Sequence, residues 1–443
     1  MRVDGTVARL DTKQRDAGLL RAVGPWALAA STVCNTVGSA IFVVPAALAA
    51  SVGIYAPLVL LACALATVAV AICFAEGGSR VATSGGTYGY VAAAFGPLAG
   101  SVAGWLAWLG NILACGGVAA AVADHVVSLL PASIKAVAHV LVIVAVITAI
   151  AWVNLGGVAR GMKLVNASTL LKLLPLAVFL LVGATAIDGS HYTQTVSPDT
   201  AGMGRALILA VFAYNGMETS LAASGEVANP SRTIPRALML AMLLVTVLYV
   251  SVQIVAQGIL GPALATSTVP LADAMSRISP ALGLLMLAGA VVSMFGLMSI
   301  ELLGGPRFLF AFARDGLLPA ALGRVHPRTH VPHVAIVCHA LIAIVLALTG
   351  TFVELAILST LAVAVLYASA SIAAWQLARR GVAENGTPLN FRGLTAAMIV
   401  AVVSMTLLVA LASRVEKLGL AAAIAASVAG YLVSRTMRRP AVT

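Results

Sequence analysis

Four ionisable side chains stand where the surrounding sequence is almost wholly apolar: Glu76, Lys172, Glu218 and Glu301. A charge held inside a bilayer costs from about 2.5 kcal/mol upward, so an ionisable residue in such a place is read first as a functional one. A buried carboxylate can take up a proton or meet a cation. A buried ammonium can release its proton, because burial lowers the pKa of a lysine. Glu76 precedes Arg80 by one helical turn, which suits a gate or a salt bridge at the end of its segment. Lys172 stands in LVNASTLLKLLPLAVFLLVG, too far inside the run to reach a surface easily.

Two further stretches offer backbone chemistry. Asn35-Thr36-Val37-Gly38-Ser39-Ala40 and Tyr214-Asn215-Gly216-Met217-Glu218 are polar and glycine-containing in the middle of apolar runs, where a helix is expected to break. At such a break the N–H groups that start one half-helix can receive an anion, and the carbonyls that end the other can receive a cation. Ala40 keeps its N–H but its methyl crowds the approach, while Phe212 and Tyr214 add aromatic area able to cover a ligand. Either stretch alone is also explained by close helix packing, to which Gly and Ser are suited. The matched pair is what points to a site near the bilayer midplane.

The elements that position these residues follow from composition. The chain has 443 residues, 61% hydrophobic and only 9% charged, against roughly 25% charged in a soluble domain. With mean hydropathy of +1.05 it reads as an all-α membrane protein. Apolar windows give twelve transmembrane helices, at about 22–50, 55–75, 97–124, 134–155, 161–187, 203–226, 235–260, 279–312, 333–350, 353–378, 393–413 and 417–435. Of the 26 Lys and Arg residues, 20 fall before span 1 or after even-numbered spans, 5 fall on the other side, and Lys172 lies within span 5. The positive-inside rule then makes both termini cytoplasmic, and the net charge of +11 orients spans rather than binding nucleic acid. The first apolar run follows a basic stretch but shows no convincing cleavage site, so it is read as an uncleaved span.

The two expected breaks lie in spans 1 and 6, five spans apart, the pattern of an inverted repeat. This divides the chain into a cytoplasmic segment 1–21, a first repeat 22–187 (spans 1–5), a second repeat 203–378 (spans 6–10), spans 11–12 at 393–435 and a cytoplasmic tail 436–443. Five cysteines, Cys34, Cys63, Cys73, Cys115 and Cys338, all sit in apolar segments and are read as packing residues, not a disulfide framework. The run His326-Pro327-Arg328-Thr329-His330-Val331-Pro332-His333 lacks a Cys or acid, and no metal or other cofactor is expected. The chain carries no P-loop, no H-E-x-x-H and no G-x-S-x-G, which leaves a nucleotide-driven pump or a common hydrolase without its machinery.

Four motifs resemble the amino acid–polyamine–organocation superfamily, in the right order across residues 20 to 435: NTVGSAIFVVP at 35–45, EGGSRVATSGGTYGY at 76–90, FAYNGMETSLAASGEVANPSRTIPR at 212–236 and RFLFAFARDGLLP at 307–319. The resemblance implies the LeuT-type 5+5 inverted-repeat fold with broken helices 1 and 6. Within the superfamily the chain is most similar to the bacterial arginine/agmatine antiporter and its basic amino acid and polyamine relatives. Asn35, Gly38 and Ser39 keep the N-x-x-G-S pattern, and Trp108-Leu109-Gly110-Asn111 matches W-x-G-N, whose Asn is a substrate-contacting position. Glu218 matches the helix 6 acid implicated in proton sensing or substrate coupling. Ala40 replaces the family's third helix 1 glycine, Phe212 its gating Trp and Glu301 its substrate-stacking Trp.

The resemblance implies a secondary transporter of amino acids or related amines, not an enzyme, working by alternating access in the cytoplasmic membrane. Exchange and proton symport both stay open, and a homodimer is one admissible assembly. The substrate's carboxylate and ammonium would meet the break at Asn35, Gly38, Ser39 and Ala40, with Asn111, Phe212, Tyr214, Asn215, Gly216 and Glu301 around it. Glu76, Lys172 and Glu218 are the coupling and gating candidates. Some family members carry a helix 5 Lys where sodium-coupled relatives hold sodium, so Lys172 implies sodium independence. Glu301 at the substrate-facing position suits a second positive charge, as in lysine, arginine or a diamine; the alternative is that it pairs with Lys172 or a neighbouring polar group, leaving a site for small neutral amino acids taken up with protons. A channel or receptor on the same helices is the rival class.

Overall fold

The computed structural model describes residues 24–81, 87–157, 172–193, 198–217, 230–383 and 388–437, and among these every regular element is a helix. They are α1 (Pro25–Thr36), α2 (Ala40–Val52), α3 (Ala56–Arg80), α4 (Thr87–Phe95), α5 (Pro97–Val127), α6 (Ala132–Leu155), α7 (Leu173–Gly183), α8 (Thr200–Tyr214), α9 (Pro230–Leu260), α10 (Pro270–Ser276), α11 (Pro280–Arg314), α12 (His333–Thr349), α13 (Phe352–Arg379), α14 (Leu394–Leu411) and α15 (Arg414–Met437), with short 3-10 turns between some of them. Among the described residues, eight segments are long and apolar enough to cross a membrane: Ala40–Arg80, Pro97–Val127, Ala132–Leu155, Arg232–Thr266, Pro280–Arg314, Phe352–Arg379, Leu394–Leu411 and Arg414–Ser434. Three shorter apolar helices, Leu173–Ala186, Thr200–Tyr214 and His333–Thr349, lie among them.

Local chemistry sets the boundaries. Proline occupies the first turn of α1, α3, α5, α10 and α11, where its missing N–H costs nothing. Asp199 caps α8 through Gly202 N–H, and Thr351 with Glu354 forms a capping box at the start of α13. Gly53, at φ +56°, turns the chain sharply between α2 and α3.

The order of burial identifies the centre. In α5 and α13 most of the membrane-length window is buried in protein, whereas α6, α14 and α15 present chiefly exposed apolar side chains such as Leu141, Trp152, Val403 and Leu418. Helix α5 packs against α11, α12 and α13, and α3 packs against α8, α9, α13 and α14. Glycines permit the closest approaches: a Cβ at Gly110 would stand 2.7 Å from Val363 of α13, and one at Gly116 would stand 2.9 Å from Leu346 of α12.

Two features depart from the sequence expectation. Span 2 extends to Arg80, so Glu76 and Arg80 share one helix and pair within it. Helices α4 and α10 fall between the expected spans, because each is too short to register as one. The first part of span 5 (161–171) and the latter part of span 6 (218–226) lie outside the described residues, as do Glu218, Glu226 and Asn229.

Candidate functional site

The chain is interrupted at both places where the sequence mixes glycine with polar residues. Helix α1 ends at Thr36 and α2 starts at Ala40; Val37 leaves the helical conformation with ψ near 85°, and Gly38 N–H turns back to Thr36 carbonyl at 2.9 Å. Helix α8 ends at Tyr214, Asn215 is extended at ψ 155°, and Gly216 takes φ +110°, a conformation that favours glycine.

The two interruptions touch. A Cβ on Gly216 would stand 2.8 Å from the Asn35 carbonyl oxygen and 3.4 Å from Thr36 Cα, so the bare backbone of one break lies directly on that of the other. Carbonyls freed at the first break are met from outside it: Tyr249 of α9 donates its hydroxyl to Thr36 carbonyl at 2.8 Å, and Ser293 of α11 donates to Gly38 carbonyl at 3.1 Å. Three polar side-chain atoms here are buried without a partner: Thr36 Oγ1, Ser39 Oγ and Asn215 Oδ1. Ser39 precedes α2 without capping it, so the N–H groups that open that 13-residue helix lack a side-chain acceptor from Ser39.

Helix α11 runs along this junction. Ser293, Leu297 and Glu301 follow at intervals of four, one face of the helix; the first binds Gly38 carbonyl and the second lies 2.7 Å from where a Gly38 Cβ would be. Glu301 therefore stands one further turn, about 6 Å, along the same stripe. It accepts a hydrogen bond from Asn111 Nδ2 of α5. The aromatic candidates divide. Phe212 meets Phe352 edge to face at 5.6 Å, whereas Tyr214 is turned toward α3 and α9, donating its hydroxyl to Leu60 carbonyl at 3.2 Å and lying 5.5 Å from Tyr249.

The other charged candidates lie apart from the junction or beside it. Lys172 is buried and immediately precedes α7, whose Pro175 packs on Gly289 of α11. Glu76 is fully buried at the end of α3. Arg80 donates Nε to its carboxylate at 2.7 Å and Nη2 to Asn390 at 2.6 Å, and the N–H groups of Asn390 and Phe391 donate to the same carboxylate at 3.3 and 2.9 Å. This pair fastens the 388–391 segment to the end of α3. Sequence reasoning did not single out Tyr249, Ser293 or His339. A Tyr or Ser inside an apolar run signals that its hydroxyl has a partner, but the partner is visible only in the folded chain.

Among the described residues no cluster of His, Cys, Asp or Glu has the makings of a metal site. The sequence profile of the amino acid permease family matches residues 23–433. An uncharacterized transporter of Mycobacterium tuberculosis is 33% identical over 378 residues, covering 83% of this chain and 81% of that protein. The serine/threonine exchanger SteT of Bacillus subtilis is 27% identical over 387 residues, covering 84% and 86%, and the branched-chain amino acid permease BcaP of the same organism is 26% identical over 347 residues, covering 72% and 73%.

Proposed function

The chain belongs to the amino acid permease family, and from that premise we propose that it moves amino acids or related amines across the cytoplasmic membrane by alternating access, without sodium and in exchange or with protons. It is a multi-pass membrane transporter, not an enzyme. The observation that carries the mechanism is the contact between the two breaks, Gly216 on the Asn35 carbonyl. In the proposed cycle twelve spans form two inverted repeats of five with two helices outside them, both termini cytoplasmic. The substrate carboxylate meets N–H groups at the start of α2, around Gly38, Ser39 and Ala40. Its ammonium meets the carbonyls at the ends of α1 and α8, near Asn35 and Asn215. Asn111, Phe212 and Glu301 complete the site, Tyr214 backs it from the side of α3 and α9, and Lys172, Glu76 and Glu218 serve coupling or gating.

Counterflow in proteoliposomes tests this. Labelled substrate should accumulate transiently against unlabelled substrate inside, equally in sodium and choline buffers. Downhill equilibration without overshoot for every amino acid and amine would refute it in favour of a channel.

Two substrate classes remain. Glu301 beside the junction supports a cationic substrate, whose second charge a dry carboxylate would bind. The Asn111 hydrogen bond that already occupies Glu301, together with the neutral substrates named for SteT and BcaP, supports small neutral amino acids. A competition series on the wild type and Glu301→Gln separates them: lysine, arginine and diamines winning in the wild type, with the gap narrowed in Glu301→Gln, supports the first; neutral amino acids winning in both supports the second.

A further inference from the structure

Two glutamines inside the apolar helix α9 bind the main chain of α2. Gln253 and Gln257 are both buried, and a polar side chain inside a span is retained for what it binds. Gln253 donates Nε2 to the Pro45 carbonyl at 3.3 Å, and Gln257 donates Nε2 at 2.7 Å to the carbonyl of Gly53, the residue that ends α2. The amide oxygen of each is buried without a partner, so each side chain is committed to α2 through its N–H. Tyr249, whose hydroxyl meets Thr36 at the first break, lies one turn before Gln253, and the three donors form one stripe at intervals of four.

Helix α2 has little of its own to fix its place. Every residue from Ala40 to Ala50 is apolar, and Ser51 donates back into its own helix, to the Ala47 carbonyl at 2.8 Å. Apolar contact is non-directional, so in lipid it resists sliding and rotation of a helix poorly. Helix α9 packs along α1 and α3 but touches α2 sparsely, and a cavity of about 10 Å³ lies between Ile41, Val44 and Leu48 of α2 and Val252 and Gln253 of α9. Donors from the neighbours supply the missing hold. Ser293 binds Gly38, Gln253 binds Pro45 and Gln257 binds Gly53, so the carbonyls held follow the half-helix from its first turn to its last. The two glutamine anchors stand about 12 Å apart along α2, enough to set its direction as well as its depth.

We propose that Gln253 and Gln257 are positioning residues for substrate binding: they set the depth and rotation of α2, and with them the aim of the N–H groups around Ser39 and Ala40. The inference rests on the transport reading above, in which those N–H groups meet the substrate carboxylate. A hydrogen bond weakens steeply once its length and angle leave the preferred range, so a half-helix that is free to shift holds the carboxylate less tightly. The fold depends on the glutamines less. Each carbonyl they release keeps a backbone donor, Ala49 N–H by helix register for Pro45 and Ala56 N–H for Gly53.

The test is counterflow by the full chain in proteoliposomes beside thermal unfolding in detergent, using whichever of labelled serine, leucine, lysine and arginine the wild type moves fastest. Gln253→Met and Gln257→Met keep the length of the side chain and remove the donor. At the average strength of an interhelical hydrogen bond in a membrane, each should raise KM about threefold and the double variant about tenfold. The kcat should stay close to wild type, and Tm should hold or rise because a buried unpaired amide oxygen is removed as well. Ser427→Ala, in α15 against α5 and α13, removes a side-chain bond to the Ile424 carbonyl and should leave KM unchanged. An unchanged KM in the double variant overturns the proposal, as does a fall in kcat and Tm with no rise in KM, the mark of glutamines that serve the fold alone. If the double variant does not fold, the single variants decide on the same terms. A wild type that moves amines but no amino acid also overturns it, since no carboxylate is then positioned. Absence of counterflow in the wild type for every amino acid and amine would instead overturn the transport reading.

Discussion

Gly216→Ala adds a single methyl at the place where the two breaks meet. The Cβ would stand 2.8 Å from the Asn35 oxygen and 3.1 Å from its carbonyl carbon, both backbone atoms that no rotamer change can move. The residue would also be held at φ +110°, where a side chain is strained by about 1–3 kcal/mol. Overpacking adds a similar amount, about 1–3 kcal/mol. Together they reach roughly 2–6 kcal/mol, and since about 1.4 kcal/mol is a factor of ten, the packed state should lose at least ~30-fold in population or in substrate affinity.

The assay is counterflow beside thermal unfolding in detergent, with and without substrate. Gly304→Ala is the matched control: it lies in helix α11, has no atom within 4 Å of a Cβ, and trades Gly for a residue favoured in helices by about 0.8–1 kcal/mol. It should transport and melt like the wild type or slightly above it. Gly216→Ala should lose substrate-induced stabilisation along with transport. A Gly216→Ala protein with wild-type rate, affinity and melting temperature would refute the claim that the backbone contact of the breaks is part of the working site.

The ion pair of α3 gives a second prediction: Arg80→Ala leaves a buried carboxylate without its cation and should destabilise by about 3–5 kcal/mol, read as a lower melting temperature, whereas Glu76→Gln/Arg80→Met should recover most of it. Lys172→Ala should abolish most transport, and Lys172→Arg should fail too because Arg cannot release its proton; a several-fold stimulation of the wild type by sodium would sink the assignment of Lys172. Glu218→Gln should flatten the pH dependence of transport while leaving the melting temperature in place, and an unchanged pH profile would reduce Glu218 to a structural residue.

What was legible in the sequence was local. A glycine beside an asparagine or serine inside an apolar run suits either close packing or a break, and the matched pair favours the break; the helices stop at Thr36 and Tyr214 accordingly. The nearness of Glu76 and Arg80 suited a gate or a salt bridge, but did not show the backbone donors of Asn390 and Phe391, some three hundred residues on, that complete the carboxylate's coordination. Nor did spacing show that Gly216 rests on Asn35, since contact between two breaks depends on how whole helices pack.

His339 marks the limit most clearly. A single histidine among Val, Cys and Ala gives no periodic signal, and Gly305, which makes room for it, reads in isolation as one more helix-packing glycine. Both residues gain meaning only from Trp108 and Asn111, one turn apart on α5: the Trp108 indole donates to His339 Nδ1, and the imidazole and Asn111 Oδ1 share the space that Gly305 leaves open. A buried polar group must find partners wherever the fold brings them, so the network around a buried carboxylate is assembled from residues whose separation in sequence carries no information. In this chain the ionisable residues could be named from the sequence by their cost in an apolar run, while the groups that surround them, such as Asn111 at Glu301, had to be found from the packing of α5 and α11.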